Sequence, residues 1–357
     1  MRIAVDAREL IGKPTGVGRY LREIVTAWNE LPGAAAHEYV FCAPTGLHDH
    51  TLPNLQATFR SGRGHGTLWE QTVLPRLIAD ADVLFAPGYT GPLHGGVPMV
   101  VTIHDVSFAA HPAWFGWREG LRRRMVTRLS ARRAAQVITV SDFSKREIVR
   151  HLHVAPGKVA VIYSGLTTLT APATRLREPI VLFVGSLFNR RHIPELIDGF
   201  SRMAGRHPDA RLEIVGDNRT QPYVDVDRLI AASPAGDRIH ARSYVSDEEL
   251  AALYGRASAC AFLSDYEGFA MTPLEALGVG VPAVLLDTEV AREIYGPAAR
   301  YVERADPDLI ASALEAALFD EAERTRLLGA APATLGRYSW RECAQRTLQV
   351  LLSCARS

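Results

Sequence analysis

The sequence predicts an α/β protein built as two doubly wound domains, each a parallel sheet flanked by helices. Three observations predict it. Short apolar runs suited to buried strands alternate with amphipathic stretches along almost the whole chain. At 357 residues the chain is too long for one comfortable α/β core and suits two domains of ordinary size. Residues 164–179 are rich in Thr, Ala and Pro and have no apolar period, so they read as an interdomain linker. The domains then run over 1–170 and 171–340, with a terminal helical segment over 341–357.

In the first half, residues 3–5 form a short buried strand. A long turn with Gly16 and Gly18 follows, then a helix over about 17–31 with Val17, Tyr20, Leu21, Ile24, Val25 and Trp28 on one face. The G-x-G spacing relieves a cramped turn, and no third glycine opens the helix, so the dinucleotide fingerprint is absent. Strands follow over 38–43, 57–60, 83–86, 99–103, 136–140 and 159–162, and Gly62, Gly64 and Gly66 fall in a loop. The strand over 99–103 ends in His104-Asp105, a titratable pair at the strand end where parallel-sheet sites form. The competing account has Asp105 capping the next turn and His104 packed beside it. Residues 116–135 are the most basic element. Arg118, Arg122, Arg123, Arg124, Arg128, Arg132 and Arg133 are interleaved with Leu121, Met125, Val126 and Leu129, which form a stripe at helical spacing. The pattern fits a solvated helix face and fits equally an anionic membrane surface or a lipid-linked phosphate. Ser141 or Ser144 caps the next helix, and Ser144 with Glu147 makes a capping box.

In the second half, a strand over 180–184 leads to Gly185, which permits a close turn, and to Arg190-Arg191 just before a helix over 194–203. Paired arginines are either solvated or aimed at an anion, and guanidiniums match phosphate oxygens bidentately. Strands follow over 211–215 and 239–245, and Ser246 with Glu249 forms a capping box. A strand over 257–263 then runs into residues 265–280, D-Y-E-G-F-A-M-T-P-L-E-A-L-G-V-G, before the next strand over 281–286. Within that stretch Thr272 caps a helix, Pro273 takes its first position and Glu275 completes a capping box, which by itself would explain Glu275. Glu267 is either an ordinary loop acid or a ligand for something bound at the strand ends, where helix N-termini attract phosphate. Helices over 307–318, 321–335 and 340–354 close the chain, the last with Leu348, Leu351 and Leu352 for packing.

Composition is ordinary for a globular protein, with 47% hydrophobic and 22% charged residues. A net charge of +1 makes no case for nucleic acid, although residues 1–170 carry a balance of +6 and the remainder −5. Cys42, Cys260, Cys343 and Cys354 are widely spaced, which suits a reducing compartment without disulfides or a metal centre. There is no secretory apolar segment at the start and no apolar run near the ~20 residues that span a bilayer. The expectation is a cytoplasmic protein with room for contact at the inner face of the membrane.

Residues 265–280 resemble the E-x7-E signature of the retaining nucleotide-sugar glycosyltransferases of family 4, whose usual form is E-G-F-G-x-x-x-L-E-A; Ala270 stands where glycine is commoner. G-S-L-F-N-R-R-H resembles the family's G-x-L-x-x-R-K-N through Gly185, Leu187, Arg190, Arg191 and His192, with Arg191 in the place of lysine. H-D-V-S-F is similar to H-D-x-x-F, V-S-D-F-S-K-R-E-I to V-S-x-x-S-K-x-x-I, and T-G-V-G-R-Y to the first glycine loop. Tyr244-Val245 resembles the G-Y-V stretch, with Ser243 for glycine, and D-T-E-V-A-R-E-I, with Glu293 near the usual acid, is the poorest match.

The resemblance implies two Rossmann-like domains facing a cleft (the GT-B fold), with donor on the second, acceptor on the first, and the last helix crossing back to the first. It implies that Arg190, Arg191 and the turn Gly268, Phe269, Ala270, Met271 and Thr272 hold a diphosphate. Glu267 would take a sugar hydroxyl and Glu275 the ribose, with Gly185 beside them and Tyr244 and Val245 framing the base. His104 would lie beside the transferred sugar and acceptor, and Gly16 and Gly18 near the acceptor and diphosphate. It also implies retention by a front-face route with no D-x-D metal site and no tightly bound cofactor. GDP-mannose is the first choice of donor, a UDP- or dTDP-sugar the alternative, and the acceptor is a glycan or lipid-linked. An epimerase of the same build remains the rival; the glycine pattern argues against a nicotinamide oxidoreductase, and the intact His104, Arg190, Arg191, Glu267 and Glu275 against a non-catalytic binder.

Overall fold

The computed structural model describes residues 1–12, 16–44, 53–167 and 177–355. Its strands form two separate sheets in which every pairing is parallel. The first contains β1 (Arg2–Asp6), β2 (Glu38–Ala43), β3 (Gln56–Ser61), β4 (Val83–Ala86), β5 (Met99–Thr102), β6 (Gln136–Thr139) and β7 (Val159–Val161), in the order β3-β2-β1-β4-β5-β6-β7. The second contains β8 (Ile180–Val184), β9 (Arg211–Val215), β10 (Ile239–Arg242), β11 (Ala259–Phe262), β12 (Ala283–Leu286) and β13 (Ala299–Val302), in the order β10-β9-β8-β11-β12-β13. Strands covered on both faces need unbroken apolar sequence, and β4, β5, β11 and β12 are buried throughout. Cys42 and Cys260 are packed among them.

In each sheet the chain builds outward to one side and then returns to the middle. The order reverses between β1 and β4 in the first sheet and between β8 and β11 in the second. Loops leaving the C-terminal ends of strands on either side of such a reversal diverge and leave a crevice, which is where ligands of open parallel sheets bind. The fold alone therefore marks the segments after Asp6 and Ala86, and those after Val184 and Phe262.

One compact unit comprises Met1–Gly165 with Tyr338–Ser357, and the other Leu166–Arg337. The domain boundary expected at 170/171, with most of the linker, lies outside the described residues. The last helix, Trp340–Cys354, packs back onto the first unit, where Trp28 of helix Gly16–Glu30 donates from Nε1 to the Ala344 carbonyl at 2.9 Å. Arg346 donates to the Val161 carbonyl at 2.8 Å, and Leu348 and Leu351 are buried.

Several local expectations need correction. The strand expected to reach 245 stops at Arg242, because β10 is an edge strand whose last three residues are exposed. β13 escaped the sequence reading because its arginine and tyrosine, tolerable on an edge strand, interrupt the apolar signal. Gly66 begins a helix, Gly66–Thr72, rather than continuing a loop. The Ser144–Glu147 capping box is replaced by a cap at Ser141, which accepts from the Ser144 amide at 3.0 Å, while the buried Ser144 hydroxyl donates to the His104 carbonyl.

Gly165 fixes how closely the terminal helix can approach. A Cβ there would stand 2.2 Å from the Trp340 backbone nitrogen, so neither side can yield without moving main chain. Gly165→Ala is expected to cost about 1–3 kcal/mol, the scale for overpacking. Amide exchange over residues 340–354 should rise with it, and an unchanged melting temperature would show that the helix seats differently.

Candidate functional site

At the reversal of the second sheet, the loops after β8 and β11 are stitched together. Gly185 leaves β8 at φ 140, and a Cβ on it would stand 2.8 Å from Nη1 of Arg191. Its absence lets that guanidinium lie across the strand end, where Nη1 donates to the Ser186 carbonyl at 2.8 Å. Nε of Arg191 donates to Oε1 of Glu267 at 2.8 Å and Nη2 lies 2.7 Å from the same oxygen, which also accepts from the Ser264 hydroxyl at 2.8 Å. Arg190 donates from Nε to the Tyr266 carbonyl, and its own carbonyl accepts from the Asp265 amide at 2.9 Å. Arg190 lies over Phe188 and Arg191 over Phe262, with guanidinium carbons 4.3 and 4.6 Å from the ring centres. The side chains of Arg190, Arg191 and Glu267 are 12%, 11% and 15% exposed, so these charges interact with little screening.

His192 adds a further stitch. Its backbone is left-handed at φ 51, and its Nε2 lies 2.9 Å from Asp265 while Nδ1 lies 3.6 Å from Glu195. Hydrogen bonding to Asp265 and then Glu195 raises its pKa to about 9. It is therefore charged at neutral pH. The stabilisation from this pairing is complete below the unfolded value of about 6.5 and declines as pH rises through about 9.

The helix after Glu267 begins differently from the expectation. It runs Met271–Gly278, entered through Ala270 at φ 60, with no side chain capping it. Thr272 and Pro273 are therefore inside the first turn, and no capping box forms. A left-handed residue at 270 aims the following backbone into the helix two residues too early for Thr272 to act as cap. Helical termination thus no longer explains Glu275. Glu275 is 3% exposed and accepts from the Tyr254 hydroxyl at 3.4 Å. Gly268 and Phe269 complete the turn between Glu267 and Ala270, with Phe269 buried. Amides at an uncapped helix start attract anions. After β10, the Tyr244 ring is 62% exposed beside buried Val245, and the Ser246–Glu249 capping box forms in full.

At the reversal of the first sheet, Arg8 donates from Nη2 to Asp6 at 2.7 Å and to Glu70 at 2.5 Å, and the Thr90 hydroxyl donates to Glu70 at 2.7 Å. His104 follows β5, with Nε2 donating to the Pro87 carbonyl at 2.9 Å. A carbonyl only accepts, so the proton is on Nε2, and Nδ1 is the acceptor nitrogen. Burial lowers the His104 pKa from its ordinary value, which keeps the ring neutral at pH 7. Tyr20 and Tyr89 pack on it at centroid distances of 4.8 and 5.5 Å. Asp105 does cap the next turn, accepting from the Ser107 amide at 2.8 Å, and it also accepts from the Tyr89 hydroxyl at 2.7 Å. Gly16 and Gly18 form no loop of their own: they are the first turn of helix Gly16–Glu30, Gly16 exposed and Gly18 buried, while residues 13–15 lie outside the described residues.

The basic helix runs Trp117–Arg133 and buries its small residues, Gly120, Thr127, Ser130 and Ala131. Ser130 meets Gly91 in two hydrogen bonds of 3.2 Å, an approach that large side chains would prevent. The apolar stripe is consequently turned outward. Trp117 is 72% exposed, and Leu121, Met125 and Leu129 are exposed along the same side among the arginines. Leu68 of helix Gly66–Thr72 is exposed too, and Arg122 reaches Thr67 of that helix at 3.0 Å.

Residues 14–168 match the family model described as Glycosyltransferase Family 4, and residues 170–333 that described as Glycosyl transferases group 1. The chain belongs to the family 4 glycosyltransferases and has their GT-B fold. Among its relatives is the MMP alpha-(1->4)-mannosyltransferase of Mycolicibacterium hassiacum, 30% identical over 274 residues, 71% of this chain and 65% of that one. The GDP-mannose:cellobiosyl-diphosphopolyprenol alpha-mannosyltransferase of Xanthomonas campestris is 29% identical over 267 residues, 72% of this chain and 68% of that one. The chain thus spans less than two-thirds of the first of these relatives. HepE of Anabaena, solved with UDP-glucose, shares the fold at a TM-score of 0.76 and 18% identity over 99% of this chain and 100% of that one.

The structure of this family member brings Gly185, Arg190, Arg191 and Glu267 together at one strand-end reversal, and places His104, Gly16 and Gly18 in the other unit. Sequence reasoning missed Asp6, Arg8, Glu70, Tyr89 and Ser264. The D-A-R that ends β1 was the one local signal available, since charges rarely follow a buried strand without partners. Among the described residues, no group of three His, Cys, Asp or Glu side chains is placed to hold a metal ion.

Glu275→Gln keeps an acceptor for Tyr254 and removes only the charge. If the carboxylate accepts from ribose hydroxyls, the donor dissociation constant should rise roughly fivefold, about 1 kcal/mol, the margin between charged and neutral hydrogen bonds. Calorimetric titration with the donor nucleotide reads this directly. Unchanged affinity would leave Glu275 a structural acid.

Proposed function

We propose that this glycosyltransferase moves a hexosyl group, mannose before others, from a nucleoside-diphosphate sugar to a glycan or lipid-linked acceptor with retained anomeric configuration. The carrying observation is the Arg190–Arg191–Glu267 constellation beside the uncapped start of helix Met271–Gly278. In this reading residues 171–340 bind donor and residues 1–170 acceptor. The diphosphate takes the amides of Met271 and Thr272 and the two arginines, because a guanidinium's five donors can hold a carboxylate and an anion at once. These groups stabilise the departing oxygen most as its charge grows.

Glu267, already fixed by Arg191 and Ser264, accepts from a sugar hydroxyl; Glu275 takes the ribose, and the exposed Tyr244 ring with Val245 frames the base. His104, Gly16 and Gly18 serve the acceptor side. The bond from the anomeric carbon to the diphosphate breaks as the acceptor oxygen attacks from the same face, and the leaving phosphate oxygen takes the acceptor's proton. Neither glutamate acts as a hydrolase-like nucleophile. The mannosyltransferase names of the two relatives support GDP-mannose as donor, with a UDP- or dTDP-sugar as the alternative.

Incubation with a nucleotide sugar and acceptor should release nucleoside diphosphate only when both are present, and titration with GDP, UDP and dTDP identifies the base. Change in the nucleotide sugar without acceptor would favour the epimerase reading, and an inverted product anomer by NMR would refute retention. Arg191→Ala should lose at least ~2 kcal/mol of transition-state stabilisation, the scale for truncating a desolvated charge pair. Arg191→Lys, the family's usual residue, should retain more activity than Arg191→Ala.

We also infer that the helix Trp117–Arg133 rests on an anionic membrane surface, the protein working at the inner face of the cell membrane. The outward stripe of Trp117, Leu121, Met125 and Leu129 among arginines supports this reading. Among the described residues no helix is long and apolar enough to cross a bilayer. Each basic residue near such a surface adds up to ~1 kcal/mol within a Debye length of about 8 Å at physiological salt. Cosedimentation with phosphatidylglycerol-rich vesicles should be strong at low salt, weaken as salt rises, and fall on changing Arg122, Arg123 and Arg124 to Gln. A parent protein that stays in the supernatant at low salt would return the helix to a solvated face and make a soluble acceptor the better reading.

A further inference from the structure

We infer that Tyr295 is a positioning residue for donor binding: its hydroxyl holds the left-handed turn at Ala270 from which helix Met271–Gly278 starts. The inference rests on the functional reading above and adds a residue that neither the motifs nor the roles carried over from the family include.

Ala270 is one of four non-glycine residues with positive φ among the described residues, at φ 60 and ψ 81. An L-residue with a Cβ resists that conformation, because the Cβ crowds the following carbonyl, so something outside the residue must hold it there. No side chain caps the helix it leads into. What holds it is the hydrogen bond from the Tyr295 hydroxyl to the Ala270 carbonyl. Relaxation of φ and ψ at 270 would turn the peptide planes on both sides of it. That would swing the Met271 and Thr272 amides away from the diphosphate and pull on the Gly268–Phe269 turn that leads back to Glu267.

Tyr295 is built to hold a fixed point. It is 2% exposed, and its own carbonyl accepts from the Thr334 hydroxyl at 3.4 Å. It ends the helix Glu289–Tyr295, whose start is capped by Thr288, and the next residue, Gly296, turns the chain at φ 48. The Gly296 carbonyl is held in turn by the Tyr301 hydroxyl of β13 at 2.7 Å. Between β12 and β13, the stretch with the least family likeness thus supplies one directed hydroxyl to the donor turn. A glycine at 270 would adopt the same conformation without support. The alanine makes the hydroxyl necessary.

The test compares the parent with Tyr295→Phe, Ala270→Gly and the double variant. Binding of GDP, UDP and dTDP is measured by calorimetry, with kcat and KM for the donor that binds. Tyr295→Phe should weaken binding of the nucleoside diphosphate at least fivefold in the parent and less than twofold in the Ala270→Gly background, with the loss in donor KM exceeding the loss in kcat. Equal losses in both backgrounds would make Tyr295 a packing residue, and a loss under twofold in the parent would also overturn the inference. If Tyr295→Phe alone does not fold, the double variant decides against Ala270→Gly: a fivefold deficit there overturns the inference, and near equality supports it. If the parent binds none of the three diphosphates, the functional reading fails on its own. The same four proteins then test the turn by urea denaturation, where Tyr295→Phe must destabilise the parent more than it destabilises the Ala270→Gly variant.

Discussion

The ion pair between Arg191 and Glu267 is the constraint around which the second unit is arranged. Its atoms come from two loops 76 residues apart in sequence, and they converge because β8 and β11 are neighbours where the strand order reverses. A carboxylate as enclosed as that of Glu267 would be costly alone, and a guanidinium as enclosed as that of Arg191 equally so. Each is tolerable because the other is there, and because Ser264, Ser186 and two phenylalanine rings complete their surroundings. Gly185 is the backbone condition for it: the guanidinium occupies space that a Cβ at 185 would enter. Arginine in place of the family's lysine also changes the geometry. An ammonium is a point charge, whereas this guanidinium reaches Glu267 with two nitrogens and a main-chain carbonyl with the third.

Much of this was legible because parallel sheets announce themselves. Strands buried on both faces must be apolar, and polar residues that break in at a strand end stand out, as His104 and Asp105 do after β5. Partners were not legible. Nothing near Arg8 in sequence points to Glu70, and nothing near Ala270 points to Tyr295, since the sheet order that joins them is a property of the whole chain. Capping signals misled for a different reason. T-x-x-E at 272–275 satisfies the local pattern, but the loop geometry that joins Glu267 to the helix puts 270 in the left-handed region and starts the helix earlier. At Ser144 the local pattern again lost to a longer-range partner, the His104 carbonyl.

The basic helix shows the same limit in its amphipathic pattern. Periodicity locates a stripe but does not say which side faces in. Here Gly120, Ser130 and Ala131 take the inward side because the helix lies close against the chain at Gly91, and large side chains are left for the outside. Leu68 extends that apolar surface beyond the helix itself. The outward side of this helix therefore combines the exposed Trp117, Leu121, Met125 and Leu129 with arginines.

Two histidines show how local packing assigns opposite charge states to one residue type. His104 sits among Tyr20, Tyr89 and a backbone carbonyl, and burial outweighs the Pro87 carbonyl and the neighbouring Asp105 carboxylate to keep it neutral. His192 has a carboxylate at each nitrogen and stays charged to about pH 9. The neutral ring, with its Nε2 proton committed to Pro87, leaves Nδ1 as its acceptor nitrogen. The charged ring is matched by those two carboxylates, one residue along the chain from Arg191. The histidines of the two strand-end reversals thus hold opposite charge states, set by burial at one and by paired carboxylates at the other.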